Sequence, residues 1–328
     1  MRPFEFASPQ KVNQVSALLG QSWGEVEVLA GGTDLLSLMK DEITTPKRLV
    51  NIKGIADLHG ITPMHTPGLR IGALTTLAEI SENPELQRLY PALATAAGDA
   101  ASPQIRNLAT IGGNLCQRPR CWYFRTGHGL LAQTKDGKSL VLQGDNRYHA
   151  ILGNDGPAYF VSPSTVAPVL IAYDAKIQII GPRGVRQVSA EKFFVIPKSE
   201  QEREHDLKPN EIVTAVVLSP ATDVHAAAYE VRQKEAFDWP YATAAVALTM
   251  NGSTVQSARV VLGHVAPVPW VSAEAAQALA GKTITPETAD QAAQAAVAKA
   301  RSLGHNTQKI QLARVAVRRA ILKAGGAA

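Results

Sequence analysis

Two short segments carry residue types suited to one kind of chemistry. Leu29-Ala30-Gly31-Gly32-Thr33-Asp34-Leu35-Leu36 stands between a β-rich run and a stretch of helical period. Bare glycine backbone at such a junction admits a bulky anion, and free N–H groups at the start of a helix point towards it. Thr33 adds a hydroxyl donor, so the segment suits a pyrophosphate. The same residues equally make an ordinary tight turn with Asp34 as helix N-cap. A carboxylate aimed at phosphate would repel it. Asp34 is therefore expected to cap the helix with its side chain and leave only backbone amides for a ligand. The second segment is Ala109-Thr110-Ile111-Gly112-Gly113-Asn114, preceded by Ala101-Ser102-Pro103-Gln104-Ile105-Arg106-Asn107. Its small residues and amides offer another cradle, with Thr110 and Asn114 as side-chain donors. Two such turns, roughly 80 residues apart, fit one dinucleotide held in a cleft between two units.

Other chemistries find no support. G-x-G-x-x-G, G-x-x-x-x-G-K-[ST] and H-E-x-x-H are all absent. The eight histidines show no paired spacing, and Cys121 has no catalytic partner evident in the sequence. Cys116 and Cys121 are the only cysteines, too few for a disulfide framework, a structural zinc site or a four-thiolate iron–sulfur cluster. A reduced, intracellular chain is expected. No apolar run approaches the ~18 residues that span a bilayer. The opening MRPFEFASPQ lacks an apolar run, so no secretory leader is expected. Aromatics make up 5% and charges of both signs are interspersed, which argues against a nucleic-acid protein built on stacking platforms. The net charge of +5 is partly local. Arg106, Arg118, Arg120, Arg125 and Arg147 fall in one region, where they could face an acidic partner.

The elements that must position the two turns can be read from the pattern. At 328 residues the chain suggests roughly two domains. A helix is expected from Ser8-Pro9 with Val12, Val15, Leu18 and Leu19 on its apolar face, then a strand at 26–30, a helix at 34–41 and a strand at 48–52. Strand 69–73, a helix from Leu77 capped by Thr76, and an alanine-rich helix at 91–101 follow. Residues 117–150 fit neither period and are expected to form an extended surface loop. Asn251-Gly252 predicts a hairpin turn between two apolar runs. Thr285-Pro286-Glu287 opens a helix to about Ser302, and a last helix covers 307–323.

AGGTDLL (30–36) and SPQIRNLATIGGNL (102–115) together resemble the flavin-binding signatures of the FAD-binding medium subunits of molybdenum hydroxylases, the xanthine dehydrogenase family. The resemblance covers nearly the whole chain and is strongest to the aldehyde oxidoreductase type. It includes the Pro209–Ile212 element, RQKEAFDWP (232–240), VLGHVAPVPW (261–270), Ala273-Glu274 and Leu279–Lys282. It implies an α+β chain with a two-subdomain FAD-binding fold of the PCMH (vanillyl-alcohol oxidase-like) type. A C-terminal α+β domain of the CO dehydrogenase flavoprotein type would follow. The corresponding boundaries are 1–54, 55–220 and 221–328.

By the same resemblance FAD binds between the first two units. Ala30, Gly31, Gly32, Thr33, Asp34, Leu35 and Leu36 would form one wall, and Ala101, Thr110, Gly113 and Asn114 the other. Ser164-Thr165 stands where the family often has Ser-Asp, so Thr165 replaces an acid. Val213 matches an apolar position lining the flavin. Trp239 matches a position near the isoalloxazine ring, where it would shield N5, with a core anchor as its other role. In aldehyde oxidoreductase type subunits the 117–150 loop carries cysteines for a [4Fe–4S] cluster. Here the stretch between RCWYFR and NRYHAI has none, so FAD is expected without that cluster. The implied partners are a small [2Fe–2S] subunit and a large subunit with the molybdenum cofactor. This chain would pass electrons from those clusters to an external acceptor, in the cytoplasm or, by co-export with a partner, in the periplasm. A stand-alone flavin oxidase and an assembly subunit that has lost flavin are the alternatives.

Overall fold

The computed structural model describes residues 1–234 and 238–326. Of the 232–240 segment singled out above, 235–237 lie outside the described residues. Three sheets organise the described residues. The first is parallel, with β3 (Arg48–Asn51) between β1 (Glu5–Ala7) and β2 (Val26–Leu29). Parallel neighbours need crossovers, and the helices Val12–Leu18 and Leu35–Lys40 supply them. The second sheet is antiparallel in the order β4 (Ile61–Pro63), β5 (Leu69–Gly72), β8 (Ile212–Leu218), β6 (Lys176–Gly181), β7 (Gly184–Ser189). The third runs β12 (Trp270–Val271), β11 (Thr254–Gly263), β10 (Ala242–Asn251), β9 (Val224–Val231). On it lie the helices Ala273–Leu279 and Thr307–Ala324, with Pro286–Ala296 packed against both, and buried alanines on all three keep the layers close.

The first two sheets share an apolar seam. Val15, Leu19, Val50 and Ile52 pack with Ile55, Leu58, Leu74 and Ile212 from the second unit. Burying side chains of that size contributes about 2 kcal/mol each, and Leu19, Ile52, Leu74 and Ile212 of this seam also line the space between the two units.

Several expectations hold. Thr76 accepts the Glu79 N–H at 3.1 Å while the Glu79 carboxylate accepts the Thr76 N–H at 2.7 Å. The hairpin forms at Asn251-Gly252, with Gly252 at φ +58°. Others are corrected. Residues 5–7 pair with β3, a short edge strand without a recognisable period. The first helix consequently starts at Val12, not at Ser8-Pro9, and Gln14 Oε1 accepts the N–H groups of Gln10 and Lys11. The helix after Thr285 stops at Ala296 rather than Ser302. The chain there is drawn back onto the 146–154 region, with Arg301 N–H donating to the Ile151 carbonyl and Asn146 bonding to Leu303 and His305.

The 117–150 segment is not an extended surface loop. It holds the short helices Trp122–Arg125 and Leu140–Gln143, and Cys121, Phe124, Leu130 and Leu131 are buried against Leu38, Ala158 and Phe160. Its apolar residues meet partners distant in sequence, so no local period betrays them.

Candidate functional site

The first glycine turn runs from the end of β2 into the helix Leu35–Lys40, and the amides of Gly31, Gly32, Thr33, Asp34 and Leu35 have no hydrogen-bond acceptor among the described residues. Gly32 adopts φ +76°, a left-handed conformation that a side chain disfavours. Gly31 has a different constraint. A Cβ there would lie 1.9 Å from the Leu108 carbonyl oxygen, so its bareness lets the second unit's backbone close against the first.

The second turn is built otherwise. Thr110 N-caps the helix Ile111–Cys116, accepting the Gly113 N–H at 3.1 Å. Ile111 and Gly112 donate to the carbonyls of Thr75 and Ala73, and Asn114 to that of Thr110. All four amides are spent on the fold, which corrects the expectation that they form a phosphate cradle. The Ala73–Thr75 backbone takes two of the donors and Thr110 the other two, so what the turn presents is small surface and side chains. Asn114 donates to Thr165 Oγ1 at 3.3 Å and accepts from Ser164 Oγ at 2.7 Å. Ala101 is held at φ +48° beside this wall.

Between the turns lies a cleft of about 310 Å³, within the size range of ligand pockets. Thirteen of the fourteen residues singled out from the sequence line it: Ala30, Gly31, Gly32, Thr33, Asp34, Leu35, Ala101, Thr110, Gly113, Asn114, Thr165, Val213 and Trp239. Leu36 does not; its side chain is exposed on the outer face of its helix. Trp239 is 40% exposed, so it is no core anchor.

Charge in the cleft differs from the sequence expectation. Asp34 occupies the N-cap position but makes no side-chain cap. Its carboxylate accepts from the Arg118 N–H at 2.8 Å and pairs with Arg120 at 2.9 Å and Arg125 at 2.8 Å. One backbone N–H bond and two guanidinium pairs outweigh a single cap bond, and the guanidinium groups also neutralise the carboxylate beside the open amides. Arg118, Arg120 and Arg125 thus turn inward, Arg118 also pairing with Glu204 at 3.0 Å, rather than facing a partner. Arg106 donates to the Ala100 carbonyl, and Arg147 pairs with Asp145.

Several lining residues escaped the sequence. Glu27 of β2 lies 3.7 Å from Arg203, which stacks over the Trp23 ring at 4.9 Å; His205 meets that ring edge-on. Burial raises the Glu27 carboxyl above its usual range and brings the Arg203 guanidinium down to about 10. A lone acid inside the Val26–Leu29 run was the available signal; Arg203 and His205 gave none. The structure also gives Cys121 a neighbour, His149 Nε2 at 3.1 Å from its sulfur. Burial pushes that thiol up to about 11 and that imidazole down to about 4. The pair is therefore uncharged, the opposite of an activated nucleophile.

Residues 2–221 match the family described as FAD binding domain in molybdopterin dehydrogenase, and residues 227–324 match the CO dehydrogenase flavoprotein C-terminal domain. The chain is 32% identical to the aldehyde oxidoreductase FAD-binding subunit PaoB of Escherichia coli K12, over 91% of each chain. It is 30% identical to the carbon monoxide dehydrogenase medium chain of Hydrogenophaga pseudoflava, over 90% of this chain and 86% of that one. The solved carbon monoxide dehydrogenase from Hydrogenophaga pseudoflava lacking the Mo-pyranopterin moiety superposes with a TM-score of 0.78 at 30% identity, covering 100% of this chain and 99% of the other. With a glycine turn of open amides facing a wall of small residues, and with both domain families matched in order, the chain belongs to the FAD-binding medium subunits of the molybdenum hydroxylase family.

Proposed function

We propose that this chain holds FAD in the cleft between units 1–54 and 55–220, with 221–328 as the C-terminal flavoprotein domain. It takes electrons from [2Fe–2S] clusters on a small partner subunit and passes them to an external acceptor. A large partner subunit bearing the molybdenum cofactor hydroxylates an aldehyde or heterocycle. The complex works in the cytoplasm, or in the periplasm by co-export with a partner. The observation that carries this reading is the run of five unbonded amides from Gly31 to Leu35 at the start of a helix, facing the cleft.

FAD, when bound, supplies the conversion between electron pairs and single electrons, which no side chain here can perform. The chain's own work is binding, orientation and exclusion of water. The Gly31–Leu35 amides would take the diphosphate, with Asp34 kept from repelling it by its three basic-loop donors. Thr110, Asn114 and Thr165 would fix the opposite side through hydroxyl and amide groups, with Gly113 and Ala101 leaving room. Val213 and Trp239 would bound the ring, with Leu36 supporting the helix from outside.

We further propose that no [4Fe–4S] cluster is held. Two cysteines give half the usual ligands, and Cys121 is spent on His149 within a packed apolar cluster. The test is the visible spectrum of the purified chain with iron determined on the same sample. Flavin bands near full occupancy without iron are expected. A protein that stays colourless after incubation with FAD would overturn the flavin reading, and stoichiometric iron the absence of the cluster.

A further inference from the structure

Arg120 is held on three sides, and neutralising Asp34 accounts for only one of them. Its Nη1 pairs with Asp34 at 2.9 Å and its Nη2 donates to Gln117 Oε1 at 2.8 Å. Its guanidinium carbon lies 4.5 Å from the centre of the Trp239 ring, inside the range of a cation–π contact. Its Nε is buried without a partner among the described residues, and the residue lines the cleft. Asp34 ends the turn of open amides, and Trp239 stands at the mouth. One side chain thus spans from the glycine turn to the aromatic ring, which otherwise hangs on a loop whose described bonds are Asp238 to the amides of Gln233, Lys234 and Trp239.

We infer that Arg120 is a positioning residue: it holds the Trp239 ring over the mouth of the cleft and ties that cover to the Asp34 end of the glycine turn. This rests on the flavin reading for what lies beneath the cover, but not for the contact itself. The fork geometry suits the role. An arginine can bond a carboxylate in its plane while offering its face to a ring, so both contacts are satisfied at once. Loss of the cation frees the ring towards solvent, whereas a lysine keeps charge over the ring but loses the fork.

Two readouts separate the contact from the flavin. The first uses the chain without FAD and acrylamide quenching of indole emission, each form compared with its Trp239→Phe counterpart to isolate Trp239 from Trp23, Trp122 and Trp270. Since Trp239 is 40% exposed in place, Arg120→Met should steepen its quenching about twofold. Arg120→Lys should restore most of the wild-type slope. Equal slopes for wild type and Arg120→Met, or a lysine variant that behaves as the methionine one, would overturn the inference. The second uses FAD-loaded chain and iodide quenching of flavin emission. Trp239→Leu, which leaves the Asp34–Arg120 pair in place and serves if the Arg120 variants do not fold, should raise flavin quenching about twofold. Unchanged quenching would overturn Trp239 as the cover. A wild-type chain that binds no FAD would overturn the function proposed above and the covering role with it, while the acrylamide comparison still decides the contact.

Discussion

Replacing Gly31 by alanine tests whether the glycine pair serves the ligand directly or first serves the closure of the cleft. The added Cβ would sit 1.9 Å from the Leu108 carbonyl oxygen and 2.8 Å from its carbon. Side-chain carbons in proteins essentially never come nearer than 3.0 Å, so the two backbones must part by about 1.1 Å. Both opponents are main chain, with no flexible side chain to yield. Overpacking of this kind costs about 1–3 kcal/mol, and the rigid opponent places Gly31→Ala at the upper end. The same displacement moves Ala109 and Thr110 away from the open amides. A ligand bridging both walls should therefore lose about tenfold or more in affinity, each tenfold being about 1.4 kcal/mol. Urea unfolding followed by circular dichroism reads the first effect, and titration of the flavin-free chain with FAD reads the second. Gly98→Ala is the control. Its Cβ meets Ser81 at 3.4 Å, and it lies in the helix Pro91–Asp99, so alanine should be neutral or stabilise by about 0.5–1 kcal/mol. A Gly31→Ala chain within about 0.5 kcal/mol of wild type, the range of an ordinary surface change, and with unaltered FAD affinity would refute the close-approach argument.

Removing the Asp34 carboxylate as Asp34→Ala should cost about 3 kcal/mol in urea unfolding, because Arg120 and Arg125 are left half-buried without their counter-charge; a loss below about 1 kcal/mol would make these pairs no more than surface ones. Burial pushes the Glu230 carboxyl up to about 8 against the pull of Arg232, 3.6 Å away. Its folded value lies above its unfolded one, so its contribution is complete below about pH 4.5 and is lost as pH rises towards 8. Glu230→Gln should flatten that decline in unfolding midpoints, and an unchanged slope would remove Glu230 as its source. Cys121, its thiol pushed up to about 11 by burial, should react with iodoacetamide at pH 8 about a hundredfold more slowly than a free thiol. Mass spectrometry of the alkylated native chain checks this, and a rate within about tenfold of free cysteine would contradict the neutral Cys121–His149 pair.

Those parts of the protein whose physics is local are legible in the residues alone. The glycine turns, the Thr76 and Thr285 caps, the Asn251-Gly252 hairpin and the last helix are each set by a few neighbouring residues. Thirteen lining residues of the cleft came instead from the family resemblance, since motif residues keep their order along the chain. The family followed from the same motifs, and two cysteines bounded the possible metal chemistry. Tertiary structure alone decided which donors stay free. The two glycine turns look alike as strings, yet one keeps five open amides while the other gives all four to Thr75, Ala73 and Thr110. It also decided that Asp34 answers arginines more than 80 positions away instead of its own helix. Arg203 and Trp23 meet only because the first two units dock. The packing of 117–150 came from contacts with Leu38, Ala158 and Phe160. A hydrogen bond or an ion pair is settled by whichever partner arrives at about 3 Å, and only the closed fold brings distant partners that near.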